Sequence, residues 1–373
     1  MAANYEIKFE KVLGRGGFAT VYQGIIKNSG SPCAIKVIHQ AALDNKVLEM
    51  AEKEIKVLKT LHHISIPSYY DTFRIAQDIC IVQQIIIGES MQTLLGRLSS
   101  EDVIRFVMRI SSVLSFVHAN NIVHLDIKPA NIYFSTDNNI FLLDFGIAKL
   151  MEATTATIGN SAMTRVYAAP EYLRGDYADG NMDRGDLIKC DIWSFGATIL
   201  EAICGVRLLV DQFTDNYSYE INMLKNGTDK KMKKGAGETV IQWSLNWLLE
   251  RRFADIPAAR ALWEAAPDDL RYLVALCLTH DFNDRPTMRD LIDDARVRHL
   301  IQKAQSLKAA GGVLVGSSGG ACDSSQSDPT TVVPVGGGSG NSVTGKLFIA
   351  AAGFDTASVP PAPLVSYTRV RLQ

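Results

Sequence analysis

The sequence has no apolar run long enough to cross a membrane. Its longest, "ICIV" and "IIIG" near residues 79 to 88, fall far short of the ~20 residues that a spanning helix needs. The opening residues "MAANYEIKFEKV" lack the apolar core of a secretory signal. The expectation is a soluble protein of the cytoplasm, with access to the nucleus left open and no membrane insertion. An excess of charge of one sign is also lacking. The net charge is −2 with 21% charged residues, so no global field draws in nucleic acid or an anionic bilayer. Paired cysteines are absent. Cys33, Cys80, Cys190, Cys204, Cys277 and Cys322 are scattered with no C-x-x-C, which argues against a disulfide frame or a zinc site and suits reduced thiols. There is no internal repeat. What remains is a chain of 373 residues, 47% hydrophobic, enough for a two-lobed body with a real core.

Large side chains run out near residue 305. From 311 to 345 the chain is rich in Gly and Ser and cannot bury enough surface to offset its ordering entropy. Residues 303–373 therefore read as a flexible Gly/Ser/Pro-rich tail, and a chain ending near 305 should keep its fold and chemistry.

The body divides by pattern. Residues 5–86 read as strands with one helix: two strands around a Gly-rich turn in "YEIKFEKVLGRGGFATVYQGII", a third in "SPCAIKVI", another in "ICIVQQI". Between them, Val47, Leu48, Ile55, Leu58 and Leu61 recur near helical spacing. Residues 87–302 turn mostly helical. Ser100 reads as the N-cap of a helix with apolar positions at 103, 106, 107, 110, 113, 114 and 117. "DIWSFGATILEAICG" is apolar nearly all round, as a buried central helix would be. The expected class is α+β and bilobal, a small β-rich lobe and a larger helical lobe with a ligand cleft between them.

Individually the chemical motifs are weak. "GRGGFATV", with Gly14, Gly16 and Gly17, lets backbone approach phosphate, yet Gly-rich turns between strands are common. Lys36 at a strand end reads alone as a solvated charge, and "DFG" at 144–146 alone means little. Their order changes the weighing. A Gly-rich loop, a strand lysine, a helix glutamate, "HLDIKPAN", "DFG", "APE" and "DIWSFG" follow one another in a single succession. This resembles the eukaryotic protein kinase family, Ser/Thr type, over roughly residues 5–302.

The resemblance implies roles. Lys36 would hold the α- and β-phosphates of ATP, paired with Glu54, which stands nine positions before His63; Glu52 is the alternative partner. Asp126 would be the catalytic base, with Lys128 steadying the transferred phosphate. Asn131 and Asp144 would hold Mg2+, a hard cation that takes oxygen donors. Val21 and Ala34 would cover the adenine and Tyr133 would lie beneath it. Gln83 matches the gatekeeper, with Gln84 and Ile85 opening the hinge. Leu58, His124 and Phe145 match the hydrophobic stack of active kinases. Thr164 would contact the base, and Glu171 would pair with Arg285 below the substrate loop. Partners implied are proteins bearing Ser or Thr, and a regulatory partner protein.

Four positions depart from the family's pattern: Ala19, polar Gln83, bulky Tyr133, and Leu125 where most such kinases carry Arg. That Arg answers to phosphate on the activation loop; Leu has no charge to do so. The alternative reading is a kinase-like scaffold or allosteric module with weak or no catalysis.

Overall fold

The structure, a computed structural model, describes residues 4–16, 19–39, 45–150, 164–176, 184–207, 223–226, 228–232, 238–242 and 244–309. Gly17, the loop residues Thr154, Thr155, Thr157 and Ser161, and the tail from 310 lie outside the described residues.

Five antiparallel strands make the small lobe: β1 (Tyr5–Arg15), β2 (Ala19–Ile26), β3 (Ser31–Ile38), β4 (Tyr69–Ile75) and β5 (Asp78–Gln83), in the order β1-β2-β3-β5-β4. Period-two alternation sets the two faces of β3. Cys33, Ile35 and Val37 join Phe73, Cys80 and Val82 in one apolar cluster. Ala34 and Lys36 therefore point the other way, toward the helical lobe. The helix α1 (Asn45–Thr60) buries Ala51, Glu54, Val57 and Leu58 on one stripe, while Glu52 and Lys53 are exposed. Helical phase alone thus selects Glu54 over Glu52 as the carboxylate facing the sheet.

The larger lobe begins with α2 (Met91–Leu94), α3 (Ser100–Ala119), α4 (Pro170–Arg174) and α5 (Arg184–Cys204). It continues through α6 (Leu245–Asp255), α7 (Pro257–Ala265), α8 (Asp268–Cys277), α9 (Met288–Asp293) and α10 (Ala295–Ala309). Ile192, Trp193, Phe195, Ile199 and Leu200 of α5 are fully buried, and α3 and α8 pack on it. The N-cap of α3 is Ser99 rather than the expected Ser100. Asp102 at N3 can reach back only to residue 99, and the two form a reciprocal capping box. The last helix runs to Ala309, beyond the expected end at 302, so a cut near 305 would fall inside it.

Small sheets lie where helix was expected to dominate. β6 (Gly88–Ser90), β8 (Ile132–Ser135) and β9 (Ile140–Leu142) form a three-stranded sheet under the cleft; β7 (Ile122–Val123) pairs with β10 (Lys149–Leu150). A two-stranded ribbon, β11 (Thr228–Met232) and β12 (Glu238–Gln242), precedes α6.

Candidate active site

The turn between β7 and β8 carries the first constellation. The Asp126 carboxylate is held from three sides. Asn131 Nδ2 donates to Oδ2 at 2.9 Å. Lys128 Nζ lies 2.8 Å from the same oxygen. Thr164 Oγ1 donates to Oδ1 at 2.7 Å and accepts from Lys128 Nζ at 2.8 Å. Residues 36 and 38 positions apart in the chain so form a triangle around one carboxylate, with Asp126 buried and Lys128 partly open to solvent.

The backbone here is strained and anchored. Leu125 has φ +64°, a left-handed conformation costly for a bulky side chain. The buried Asp191 of α5 holds it: Oδ1 accepts from Leu125 N at 2.7 Å, and Oδ2 accepts from His124 N at 2.8 Å and lies 2.9 Å from His118 Nε2. The Leu125 side chain is itself fully buried in the main core. His124 Nδ1 accepts from Asp126 N at 3.2 Å, which leaves Nε2 to donate to Leu143 O at 3.2 Å and fixes the neutral tautomer. The His124 ring meets the Phe145 ring edge-on at 4.7 Å.

The second constellation spans the cleft. Lys36 Nζ donates to Glu54 Oε1 at 2.7 Å and Oε2 at 2.9 Å, and to Asp144 Oδ1 at 3.3 Å. All three ammonium protons are committed. Burial by itself would lower the Lys36 ammonium, but the Asp144 and Glu54 carboxylates outweigh it and hold its pKa above the usual value. Burial raises the Glu54 carboxyl; Lys36 opposes that shift and Asp144 adds to it. Asp144 also sits at φ +61° and accepts from Gly146 N at 3.1 Å. A Cβ at Gly146 would lie 3.0 Å from Asp144 Oδ1 and 3.4 Å from Lys36 Nζ, so any larger residue would crowd the cluster.

One cation against two carboxylates leaves a net negative charge in a buried place. Beside it, Leu143 N donates to Asn131 O at 2.8 Å, which brings Asn131 alongside the segment leading to Asp144. Asn131 Oδ1 is buried with no hydrogen-bond partner among the described residues. Carboxylate oxygens and an unspent amide oxygen are the hard donors that a Mg2+ ion requires, so these residues fit such an ion. No group of three His, Cys, Asp or Glu among the described residues forms an alternative metal site.

The apolar residues of the cleft gather as one cluster: Leu13, Val21, Ala34, Ile86, Tyr133, Phe141 and Leu143, with Ile85 packed against it. Gly14 pairs with Val21 in the β1–β2 ladder, and Gly16 N donates to Ala19 O at 2.8 Å. Gln83 ends β5 and lines the cleft with Lys36, Glu54, Leu58, Asp144 and Phe145. Gln84 turns aside: its N donates to Ser68 O at 2.8 Å and its Oε1 accepts from Ser68 N at 3.3 Å. Counting along the strand missed Leu13, Ile86, Phe141 and Leu143. The alternation in "IFLL" was the available signal, since Ile140 and Leu142 enter the main core while Phe141 and Leu143 face the cleft.

Below the substrate-loop segment, Arg285 meets Glu171 in a bidentate pair, Nη1 to Oε1 at 2.5 Å and Nη2 to Oε2 at 3.0 Å. Both side chains are fully buried. The protein kinase domain family matches residues 7–295. The chain belongs to the protein kinase family. Among curated kinases it is 34% identical to mitogen-activated protein kinase kinase kinase A of Dictyostelium discoideum, over 54% of this chain and 22% of that protein. It is 31% identical to serine/threonine-protein kinase cds1 of Schizosaccharomyces pombe, over 53% of this chain and 44% of that one. It is 28% identical to mitogen-activated protein kinase kinase kinase YODA of Arabidopsis thaliana, over 78% of this chain and 29% of that one. Matches to such kinases span less than half of the relatives' own lengths. No helix among the described residues is long and apolar enough to cross a membrane.

Proposed function

We propose that the protein is a serine/threonine protein kinase that transfers the γ-phosphate of ATP to Ser and Thr hydroxyls of protein substrates. The carrying observation is the Asp126 carboxylate, buried, oriented by Asn131 and Thr164, and standing beside the Lys128 ammonium. In this reading Asp126 orients the substrate hydroxyl and takes its proton as the oxygen attacks the γ-phosphorus. The new O–P bond forms while the bond to the β-phosphate oxygen breaks and ADP leaves; Lys128 steadies the transferred group. Lys36, fixed by Glu54, holds the α- and β-phosphates. Asn131 and Asp144 hold Mg2+, which supplies positive charge against the phosphates when bound. The similarity to kinases that include serine/threonine-protein kinases supports the substrate class, as does Lys128 two residues after Asp126. A regulatory partner protein and a cytoplasmic location belong to the same proposal; the second rests on balanced charge and unpaired thiols, which suit a reducing compartment.

Radiolabelled phosphate transfer from Mg-ATP to a generic protein substrate tests this. Asp126→Ala and Lys36→Met should each lower turnover by at least ~100-fold, the scale of a positioned acid–base group. Undiminished transfer in both would remove the assignment. Nucleotide binding with no transfer by the unmodified protein would favour the scaffold reading, for which Ala19, Gln83, Leu125 and Tyr133 are the sequence grounds.

A further inference from the structure

Tyr133 stands at the centre of β8, opposite Ser90 of β6 and Phe141 of β9. Its strand neighbours Ile132 and Phe134 point down into the helical-lobe core, so Tyr133 must point up, toward the underside of the small lobe. There it shares one apolar cluster with Leu13, Val21 and Ala34 of the sheet above. Exposure across this cluster is uniformly low: Leu13 3%, Val21 1%, Ala34 2%, Ile86 2%, Tyr133 0%, Phe141 3% and Leu143 1%. The side chains of roof and floor shield one another from water.

A flat base between two apolar walls needs about 3.5 Å to each, hence walls about 7 Å apart, whereas apolar side chains in contact approach to about 4 Å. A slot with that opening would leave its walls accessible to solvent, and these walls are not. Tyr133 has the largest side chain in the cluster and belongs to the floor. The open part of the cleft lies on the charged side of the cluster, among Lys36, Glu54, Gln83, Asp144 and Phe145, and of the cluster itself only Val21 and Leu143 line it.

On the reading of this cleft as a nucleotide site, we propose that Tyr133 fills the seat of the nucleotide base. Binding then requires roof and floor to part around the ring. Tyr133 sets nucleotide affinity through its volume: the seat opens only in a fraction of molecules, and apparent affinity is reduced by that fraction. Removing ring volume should therefore tighten binding, the reverse of what removing a favourable contact does.

The experiment measures the dissociation constant of Mg-ATP, by fluorescence of a labelled analogue displaced by ATP, for the unmodified full chain, Tyr133→Leu and Tyr133→Phe. Tyr133→Leu should bind at least about fivefold more tightly, if the open fraction is roughly a fifth or less. Tyr133→Phe keeps the ring and should match the unmodified protein. Should Tyr133→Leu not fold, Tyr133→Met carries the same expectation, since an unbranched side chain adapts to the gap. Equal or weaker binding by the smaller variants overturns the proposal; weaker binding would make the ring a stacking floor. Phosphate transfer measured alongside separates the two levels. Persistent transfer with unimproved binding sinks the seat-filling role alone. No nucleotide binding by any variant sinks this role together with the kinase reading.

Discussion

Two buried ionic clusters hold this kinase together, one within the helical lobe and one across the cleft, and they differ in charge balance. In the helical lobe, Arg285 spends all five N–H donors: two on Glu171 and one each on the carbonyls of Thr279, Lys189 and His280. Its guanidinium also lies 5.0 Å from the centre of the Trp193 ring. One cation meets one anion and every donor is satisfied. Across the cleft, Lys36 also spends all its donors, but on two carboxylates. That cluster keeps a net negative charge, and its members belong to a strand, a helix and the segment after β9. The first arrangement is neutral, saturated and internal to one lobe, as a structural tie should be. The second is unbalanced and shared between lobes, which costs stability in the resting protein and leaves it ready for a cation.

The largest effect should come from breaking the balanced pair. Glu171→Gln strands the Arg285 charge in a fully buried place, and loss of one partner of such a pair typically costs about 3–5 kcal/mol, a large share of a domain's stability. Denaturant titration should show that loss, or the variant should fail to accumulate as folded protein. An unchanged midpoint would show that water or another carboxylate reaches Arg285.

The unbalanced cluster should respond in the opposite sense. Asp144→Asn removes the surplus charge while Oδ1 can still accept from Gly146 N. The melting temperature should rise by roughly 2–4 °C, the shift of about 1 kcal/mol in a body of this size, even as phosphate transfer collapses. Folding raises Glu54, so its protonated form favours the fold at low pH and that contribution is lost as pH rises through the folded value. The gain from Asp144→Asn should accordingly grow from acid toward neutral pH. A lower melting temperature at neutral pH would refute the charge argument.

The smallest effect concerns the loop that the Leu125 position leaves without a cation. Leu125 is buried among apolar side chains and its backbone is already held by Asp191. Replacing Thr154, Thr155, Thr157 and Ser161 together with Ala should change the transfer rate by no more than about threefold, a barrier change of roughly 0.65 kcal/mol. Phosphatase treatment should do no more. Abolished transfer, restored by rephosphorylation, would mean that another cation, such as Lys149 or Arg165, answers to the loop.

Much of this was legible from spacing. Fixed distances along the chain identify Lys36, Asp126, Asn131, Asp144 and Glu171, because a short turn or strand places its residues in nearly the same way wherever it occurs. Helical phase separates Glu54 from Glu52 for the same local reason. Legibility ended where neighbours in space are strangers in sequence. The strand β4 was not read, since its exposed and half-buried residues carry little hydrophobic signal, and the residue capping α3 was misplaced by one. The strip "QQIII" offers no period that separates Ile85 from Ile86; only packing puts Ile86 in the cluster with Val21, Ala34 and Tyr133.

The sequence by itself determined the two-lobed order of elements, the identity of the charged groups at the cleft and the uncharged leucine at position 125. These depend on local periodicity and on the residue types themselves. Only the tertiary structure decided that Lys36 is shared between two carboxylates, that Asn131 keeps an unspent oxygen, that Asp191 holds a strained Leu125 from another helix, and that Tyr133 closes against the roof of the cleft. Each of these depends on groups brought together from distant parts of the chain. Charge balance, donor saturation and the room left between two walls are properties of such assemblies, and no stretch of sequence contains them.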